Sequence, residues 1–221
     1  PSGSLKVRSN DSDFPYRAHS AYSWFTGIVA SDCVPDSLFV MEPNGSSHDG
    51  LLFIHPRSPR DSDEFYKNAR HGEFWVGRRM TLDETETKYQ LKVRQIESIE
   101  EFLKDNKETL LVRGQDSVID KLVTEDEEVE KEFLNFISLM RAVKDQYEID
   151  EMQKAIDASV RGFADMVRVF PAATSVPRGE RVIEAAFYGR ARLEGNENGY
   201  PSIVASGAHA CILHWIKNDG D

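Results

Sequence analysis

The sequence lacks the features that mark several large protein classes. Only two of its 221 residues are cysteines, Cys33 and Cys211, and they form no spaced disulfide framework, which indicates a reducing compartment. No apolar run approaches the roughly 20 residues that a membrane-crossing helix needs. No charged and then apolar leader opens the sequence. We therefore expect a cytoplasmic protein that does not act at a membrane.

Familiar catalytic signatures are absent too. The sequence contains no His-Glu-x-x-His pair, glycine-rich phosphate loop, Gly-x-Ser-x-Gly turn or Cys-x-x-Cys pair. The formal net charge of −11 argues against a general nucleic-acid binder, because phosphates are neutralised by a basic surface. The 40% of hydrophobic residues is ordinary for a globular protein, so we expect packed cores rather than disorder.

Strand-like and helix-like patterns alternate through residues 1–140, which predicts an N-terminal α/β domain. The runs Leu38–Met41 and Leu51–Ile54 are predicted to pair as strands, because Asn44-Gly45 between them is a strong reversal signal. Strands are also predicted at Glu73–Gly77 and Leu110–Val112. A helix is predicted before Asp105, from the helical spacing of Ile96, Ile99, Phe102 and Leu103.

Three further groups in this half have a structural and a functional interpretation. The aromatic residues Tyr22, Trp24 and Phe25 are expected in the core, because such large rings are costly to leave in water. The pair Arg78-Arg79 is expected at a solvated loop end rather than at an anion site. The acidic run 125–130 is expected to begin a solvated helix, with docking of a basic partner as the alternative.

A more regular pattern begins at residue 141. An apolar stripe predicts a long helix with a buried face, ended by Pro171. A second helix is predicted over Gly179–Glu194 and is expected to stop at Gly195, because glycine accepts the left-handed conformation past a helix end. The stripe of the first helix consists of Ile149, Met152, Ile156, Val160, Phe163, Val167 and Phe170, and the second helix is expected to bury Val182, Ala185, Ala186 and Leu193.

The last stretch holds the most informative histidine. The runs Ile203–Ala205 and Cys211–Ile216 are predicted as strands around a turn of small residues. In such a strand His214 and Cys211 point to opposite faces, so a local metal site of His209, Cys211 and His214 is disfavoured. From the residues alone, His214 is either a core histidine bonded to backbone or a functional group.

Several segments in one order resemble the aminopeptidase P family of metallopeptidases, which release an N-terminal residue that precedes proline. The resemblance is carried in the first half by 7–13, Tyr22–Gly27 and Phe74–Arg79, and in the second half by Gly199–Ser202, Ser206-Gly207 and Cys211–His214. It covers nearly the whole chain. It implies a creatinase/prolidase-type α/β domain over residues 1–140, followed over residues 141–221 by the first, incomplete part of an α+β pita-bread domain.

The resemblance also implies the cofactor and the partners. Family members hold two divalent ions, usually manganese, with two Asp, one His and two Glu, and all five ligands are expected beyond Asp221. No residue of this chain is therefore assigned to the metals, and Asp219 and Asp221 are interpreted as turn formers. The implied partners are peptides with proline at the second position and further copies of the chain. One of the aromatic residues 22–25 could then reach a neighbouring subunit's site.

By the same resemblance, His214 is the catalytic and substrate-binding residue of this chain. Its imidazole is expected beside the metals, where it orients the substrate or passes a proton to the leaving nitrogen. The fragment by itself is predicted to be inactive. Two alternatives stay open: a prolidase that cleaves only dipeptides, and a non-catalytic pita-bread protein that binds a basic partner.

Overall fold

The computed structural model describes residues 1–29, 32–106, 108–195 and 197–221. The chain divides into two compact units, Pro1–Ala142 and Val143–Asp221. Within the described ranges, no helix combines the length and the apolar character that crossing a membrane would require. The mixture of helices and sheet agrees with the predicted fold class, and each unit has its own architecture.

In its described residues, the first unit contains five strands and a set of mostly short helices. The strands are β1 (Val7–Ser9), β2 (Ser12–Asp13), β3 (Leu38–Asn44), β4 (Ser47–Ile54) and β5 (Lys92–Gln95). The helices are α1 (Ser20–Thr26), α2 (Asp63–Lys67), α3 (Glu73–Val76), α4 (Leu82–Tyr89), α5 (Ile99–Asp105), α6 (Ile119–Leu122) and α7 (Glu127–Ala142), with a 3₁₀ turn at Ile96–Ser98.

The main sheet confirms the predicted hairpin. Strands β3 and β4 pair antiparallel from Leu38 opposite Phe53 to Asn44 opposite Ser47, and β5 joins the other edge of β4 in parallel. Gly45 adopts a φ of 61° in the turn, a conformation that glycine reaches without steric cost. The Asn-Gly reversal signal therefore located the turn of the hairpin correctly.

Strand β4 is the centre of the unit because both of its faces are covered. Leu51 and Phe53 pack into a cluster with residues of α5 and α6, while Leu52 and Ile54 pack into a second cluster that includes Tyr22. Alternate side chains of a strand point to opposite faces, so one strand supplies both cores. Leu52 and Phe53 are both 0% exposed.

Two predicted strands of the first unit are wrong. Residues Glu73–Val76 form the short helix α3, whose first turn begins at Gly72 with the Val76 N–H donating to the Gly72 carbonyl at 3.1 Å. Leu110–Val112 is not part of a strand, although Leu111 is buried in the core. The apolar composition of this run correctly indicated that Leu111 is buried. A run becomes a strand, however, only where a neighbouring strand pairs with it.

The aromatic and arginine predictions of the first unit are each confirmed only in part. Tyr22 is 5% exposed in the core, whereas Trp24 and Phe25 on the same helix are half-buried. Arg78 is exposed as expected, but the Arg79 side chain is only 10% exposed and lies 3.6 Å from the Glu64 carboxylate. The basic pair is thus not a simple solvated loop end.

The acidic run 125–130 leads into helix α7, as predicted. Its residues are exposed with one exception, since Glu130 is buried and its carboxylate accepts from Arg113 Nε at 2.7 Å. The Arg113 guanidinium also donates to the Val123 carbonyl at 3.0 Å. One member of the run thus ties α7 to the loop before α6, and only the others are solvated.

The second unit is built on two helices joined by a short connection, α8 (Gln146–Ala173) and α9 (Gly179–Glu194). Asp145 begins α8 with a capping box to Glu148, which satisfies two backbone donors. The helices contact closely at Gly162, where an added Cβ would lie 2.8 Å from the Phe187 ring. The Asp165 carboxylate accepts a hydrogen bond from Arg190 at 2.6 Å.

Both predicted helices are confirmed, and α9 has the predicted bounds, but the predicted end of α8 and the predicted conformation of Gly195 are wrong. Helix α8 continues past Pro171 to Ala173. Gly195 after α9 is extended, with a φ of −124°, rather than left-handed. The Gly195 N–H still donates to the Ala191 carbonyl at 2.9 Å, so the last turn of α9 closes without the left-handed conformation.

The predicted buried faces of both helices are also wrong in large part. On α9, Leu193 is 78% exposed, Ala185 is exposed, and Val182 and Ala186 are half-buried. The apolar stripe of α8 is exposed, from 44% at Ile149 to 73% at Val167. The reason is that the face of α8 that contacts α9 includes Gly162 and borders the stripe, whose member Phe163 packs edge-on against Phe187 with the ring centroids 5.5 Å apart.

Candidate functional site

The segment that carries His214 is not a pair of strands. Neither Ile203–Ala205 nor Cys211–Ile216 forms a strand in the described structure, and Gly207–Cys211 instead forms a 3₁₀ turn. We call residues 206–220 the histidine loop. The alternation of side chains expected for a strand therefore does not apply to Cys211 and His214.

Glu180, in the first turn of α9, explains why the histidine loop has this shape. The residue is 2% exposed, yet no arginine or lysine of the described ranges forms an ion pair with its carboxylate. Nitrogens of the loop bind it instead. The Oε1 atom accepts from the Ser206 backbone N–H at 2.8 Å and lies 3.0 Å from His209 Nδ1. The Oε2 atom accepts from Trp215 Nε1 and from the Gly220 backbone N–H, both at 2.8 Å.

These contacts keep Glu180 ionised. Burial by itself raises the pKa of a carboxyl, but the donors from Trp215, Ser206, Gly220 and His209 outweigh it and lower the pKa of Glu180 to about 2. Because the carboxylate is an acceptor only, His209 Nδ1 must carry a proton to bond with it. Gly220 is required by the close approach, since a Cβ there would lie 2.6 Å from Oε1.

A second buried polar side chain joins the histidine loop to the residues before it. Asn218 is 0% exposed, accepts from the Val204 backbone N–H at 3.0 Å, and donates to the Ser202 carbonyl at 3.0 Å. It adopts a φ of 47°, a left-handed conformation that asparagine tolerates better than most residues. Asn218 thus supplies to residues 202–204 the hydrogen bonds that a neighbouring strand would otherwise supply.

Trp215, the residue after His214, is held on two sides. Its indole N–H donates to Glu180, and its ring stacks on His209 with the centroids 3.8 Å apart and the planes at 22°. The Lys217 ammonium lies 5.7 Å from the centre of the same ring. The indole therefore has little freedom to rotate, which restrains the peptide unit that links it to His214.

His214 itself is exposed. Among the described residues, its imidazole has no hydrogen bond or ion pair, while its backbone carbonyl accepts from Ile216 N–H at 3.0 Å. The interpretation of His214 as a core histidine is therefore wrong. His209, in contrast, is a structural histidine that is bound to a carboxylate and stacked on a ring.

Comparison with known proteins identifies the family of the chain. The family model of the aminopeptidase P N-terminal domain matches residues 1–112, and the model of metallopeptidase family M24 matches residues 150–221. The chain belongs to the aminopeptidase P N-terminal domain family. The M24 match falls on the second unit, which holds the histidine loop.

Similar proteins and solved structures agree with this assignment. The chain is 42% identical over its whole length to Xaa-Pro aminopeptidase 1 of Streptomyces coelicolor, and 44% identical to Xaa-Pro aminopeptidase 2 of the same species. It spans 44% and 46% of those proteins. A histidine-to-alanine variant of Escherichia coli aminopeptidase P shares the fold, with a TM-score of 0.72 at 22% identity over 97% of this chain and 49% of that one.

The M24 family implies divalent metal ions, but the described residues do not fit such ions. Within ranges 1–29, 32–106, 108–195 and 197–221, no group of three or more His, Cys, Asp or Glu side chains converges as a metal site. Asp221 accepts from the Arg178 backbone N–H at 2.9 Å, and so serves the connection between α8 and α9. The described residues therefore offer no set of ligands from which a metal-dependent step could be built.

Reasoning from the sequence missed Glu180, Asn218 and Trp215. A weak signal existed for Glu180, since an acidic residue in the first turn of a helix is favoured by the helix dipole. That signal would have indicated a solvated cap rather than a buried acceptor for a segment 26 to 40 residues away. For Asn218, the sequence Asn-Asp-Gly-Asp indicated only a turn.

Proposed function

We propose that this chain supplies the N-terminal domain and the first part of the catalytic domain of a metallopeptidase that hydrolyses the Xaa-Pro bond at the N-terminus of peptides. The observation that carries the proposal is the conjunction of both family matches, in one order, with identity of 42% and 44% to two Xaa-Pro aminopeptidases over the whole chain. Because the chain spans less than half of those relatives, the activity belongs to the longer polypeptide.

The cofactor of that polypeptide is proposed to be a pair of divalent ions, manganese by the family resemblance, with ligands outside residues 1–221. The boundaries 1–140 and 141–221 for its first two domains also stay predictions, as do self-association, a cytoplasmic location and the lack of nucleic-acid binding. Peptides with proline at the second position are the proposed substrates. The names of the relatives support this substrate class.

His214 is the residue of this chain that we assign to the reaction. An exposed imidazole that bonds to no other described residue is free to contact a substrate, and an imidazole exchanges protons near neutral pH. It is proposed to hydrogen-bond the substrate carbonyl oxygen or to donate a proton to the leaving proline nitrogen. Proline in the second position makes the scissile bond a tertiary amide without an N–H, so a pocket fitted to its ring must select it.

The test replaces His214 with Ala in a polypeptide that spans the full length of the relatives. Hydrolysis of Arg-Pro-Pro is expected to lose a factor on the order of 10² or more in kcat, while the metal content per chain, measured by mass spectrometry, stays unchanged. The matched control is His48→Ala, at another exposed histidine, for which no change is expected. Metal loss in proportion to activity would make His214 a ligand, and cleavage of dipeptides alone would indicate a prolidase.

A further inference from the structure

Among the residues that the structure describes, the buried Glu180 carboxylate contacts only uncharged and histidine donors, which is unusual and calls for an explanation. Ionised side chains are rarely buried without a cationic partner, because losing hydration is costly. For Glu180, that cost is offset by the nitrogen donors of Ser206, His209, Trp215 and Gly220. Every one of those donors belongs to the histidine loop. The carboxylate is therefore committed to that loop.

The positions of the donors show what the carboxylate controls. Ser206 and Gly220 are the two ends of the histidine loop, and their backbone N–H groups bind the two oxygens of the same carboxylate. The Ser206 hydroxyl adds a further contact to Oε1 at 3.1 Å. The Glu180 backbone N–H in turn donates to the Gly220 carbonyl at 3.1 Å. One residue on a helix thus closes the whole loop at its base.

The other two donors reach the interior of the loop. His209 and Trp215 contact different oxygens of the Glu180 carboxylate, and their rings stack on each other. Trp215 is covalently adjacent to His214, so fixing its indole restrains the backbone from which the catalytic imidazole projects. The side chains of Leu213 and His214 are exposed, so packing of their own does not hold this part of the loop.

We propose that Glu180 is a positioning residue that orders the histidine loop and sets the orientation of His214 through Trp215. The catalytic part of this inference rests on the proposed function, whereas the ordering of the loop does not. Glu180 is 2% exposed and both of its carboxylate oxygens accept from loop donors, so it offers no open group to a substrate. Its effect on the reaction must therefore pass through His214, and this distinguishes it from a residue that only stabilises the fold.

The test uses five variants of the full-length polypeptide. Glu180→Gln keeps the size of the side chain but turns an amide N–H₂ toward donors, while Trp215→Phe keeps an aromatic ring and removes the N–H. Glu184→Gln, one turn further along α9, is the matched control. His214→Ala alone and His214→Ala combined with Glu180→Gln complete a double-mutant cycle. Activity is expressed per folded molecule, with the folded fraction taken from near-UV circular dichroism.

For Arg-Pro-Pro, we expect Glu180→Gln to lower kcat by about 100-fold, because a misplacement of about 1 Å has this effect on a catalytic group. Trp215→Phe is expected to lower kcat by about tenfold, in line with the loss of one charge-assisted hydrogen bond. KM should change by less than about threefold in both, since a uniform loss of substrate binding is not expected. In the His214→Ala background, Glu180→Gln should lower kcat by less than a further factor of about three.

An unchanged kcat in folded Glu180→Gln would overturn the inference, and so would a full, multiplicative loss in the His214→Ala background. A wild-type polypeptide that does not cleave Arg-Pro-Pro would overturn the proposed function instead. In that case NMR tests separately whether Glu180 orders the histidine loop. The indole N–H resonance of Trp215 should move upfield in Glu180→Gln, with faster amide exchange across residues 206–220, and an unmoved resonance would refute the ordering as well.

Discussion

The β3–β4 hairpin and the histidine loop satisfy their backbone hydrogen bonds in different ways. In the hairpin, each strand supplies the partners of the other over a continuous register from Leu38 and Phe53 to Asn44 and Ser47. In the histidine loop and the residues before it, backbone bonds close short turns, such as His209 N–H to the Ser206 carbonyl at 3.0 Å, and the side chains of Glu180 and Asn218 bind the N–H groups of Ser206, Gly220 and Val204. The comparison shows that two buried polar side chains can hold a segment that contains apolar runs in place outside any sheet.

The two arrangements place the stabilising contacts at different points. The hairpin is stabilised by many buried apolar side chains, since β4 is covered on both faces. The loop depends on few side chains, each with several partners. The stability lost by a substitution in the hairpin should therefore depend on the buried volume that is removed. The stability lost by a substitution in the loop should depend on the hydrogen bonds that are removed.

The largest effect is expected for Phe53→Ala at the centre of β4. Phe53 is 0% exposed and packs on Phe102 with the ring centroids 5.4 Å apart, so its removal leaves a cavity. We expect the free energy of unfolding of the first unit to fall by about 3–5 kcal/mol. Urea denaturation followed by circular dichroism measures it. Phe74→Ala, at a phenylalanine that is 69% exposed, should cost less than about 1 kcal/mol. Equal losses at both sites would contradict a core packed on each face of β4.

Structural features that are set by residues close together in the sequence were predictable. The hairpin followed from Asn44-Gly45 between two apolar runs, and helix α9 was predicted with the bounds Gly179–Glu194 that the structure shows. The apolar stripe of α8 correctly indicated a helix. It did not indicate which face α9 would cover, because the close contact with Phe187 is made at the small residue Gly162, beside the stripe.

The second prediction concerns acid, and it affects the loop rather than the hairpin. The pKa of Glu180 is lowered from 4.5 to about 2 in the folded chain, so its contribution to stability is present above pH 4.5 and is lost as the pH falls toward 2. This contribution amounts to at most about 3 kcal/mol. In urea titrations between about pH 6 and pH 2.5, Glu180→Gln should therefore show a shallower decline in stability than wild type.

Glu184→Gln should keep the wild-type slope, because in the described structure this neighbour on α9 makes no hydrogen bond to the histidine loop. An equal slope in Glu180→Gln and wild type would mean that Glu180 titrates normally. The hairpin supplies an internal reference: Asn44→Ala, in its exposed turn, should leave the pH dependence unchanged.

The candidate site was predictable only in part. His214 was singled out by the resemblance, and its exposure could not be derived from the residues, because an apolar run around a histidine is compatible with a core strand. Its supports were missed for a physical reason. Glu180 and Asn218 act through contacts between distant positions, and a single sequence carries no periodic signal for one carboxylate that binds four separated donors.

The smallest effect, Asn218→Ala, compares the same change in both regions. Alanine at Asn218 leaves the Val204 N–H and the Ser202 carbonyl without the partner that Asn218 supplies, and it must adopt a φ of 47°. We expect the second unit to lose about 2 kcal/mol, with faster amide exchange at Val204. Asn44→Ala loses only an exposed contact to Asp49 at 3.2 Å and should cost less than about 1 kcal/mol. If the two substitutions cost the same, Asn218 would not act as the substitute for a neighbouring strand, because only a buried group whose partners are left unsatisfied carries the larger penalty.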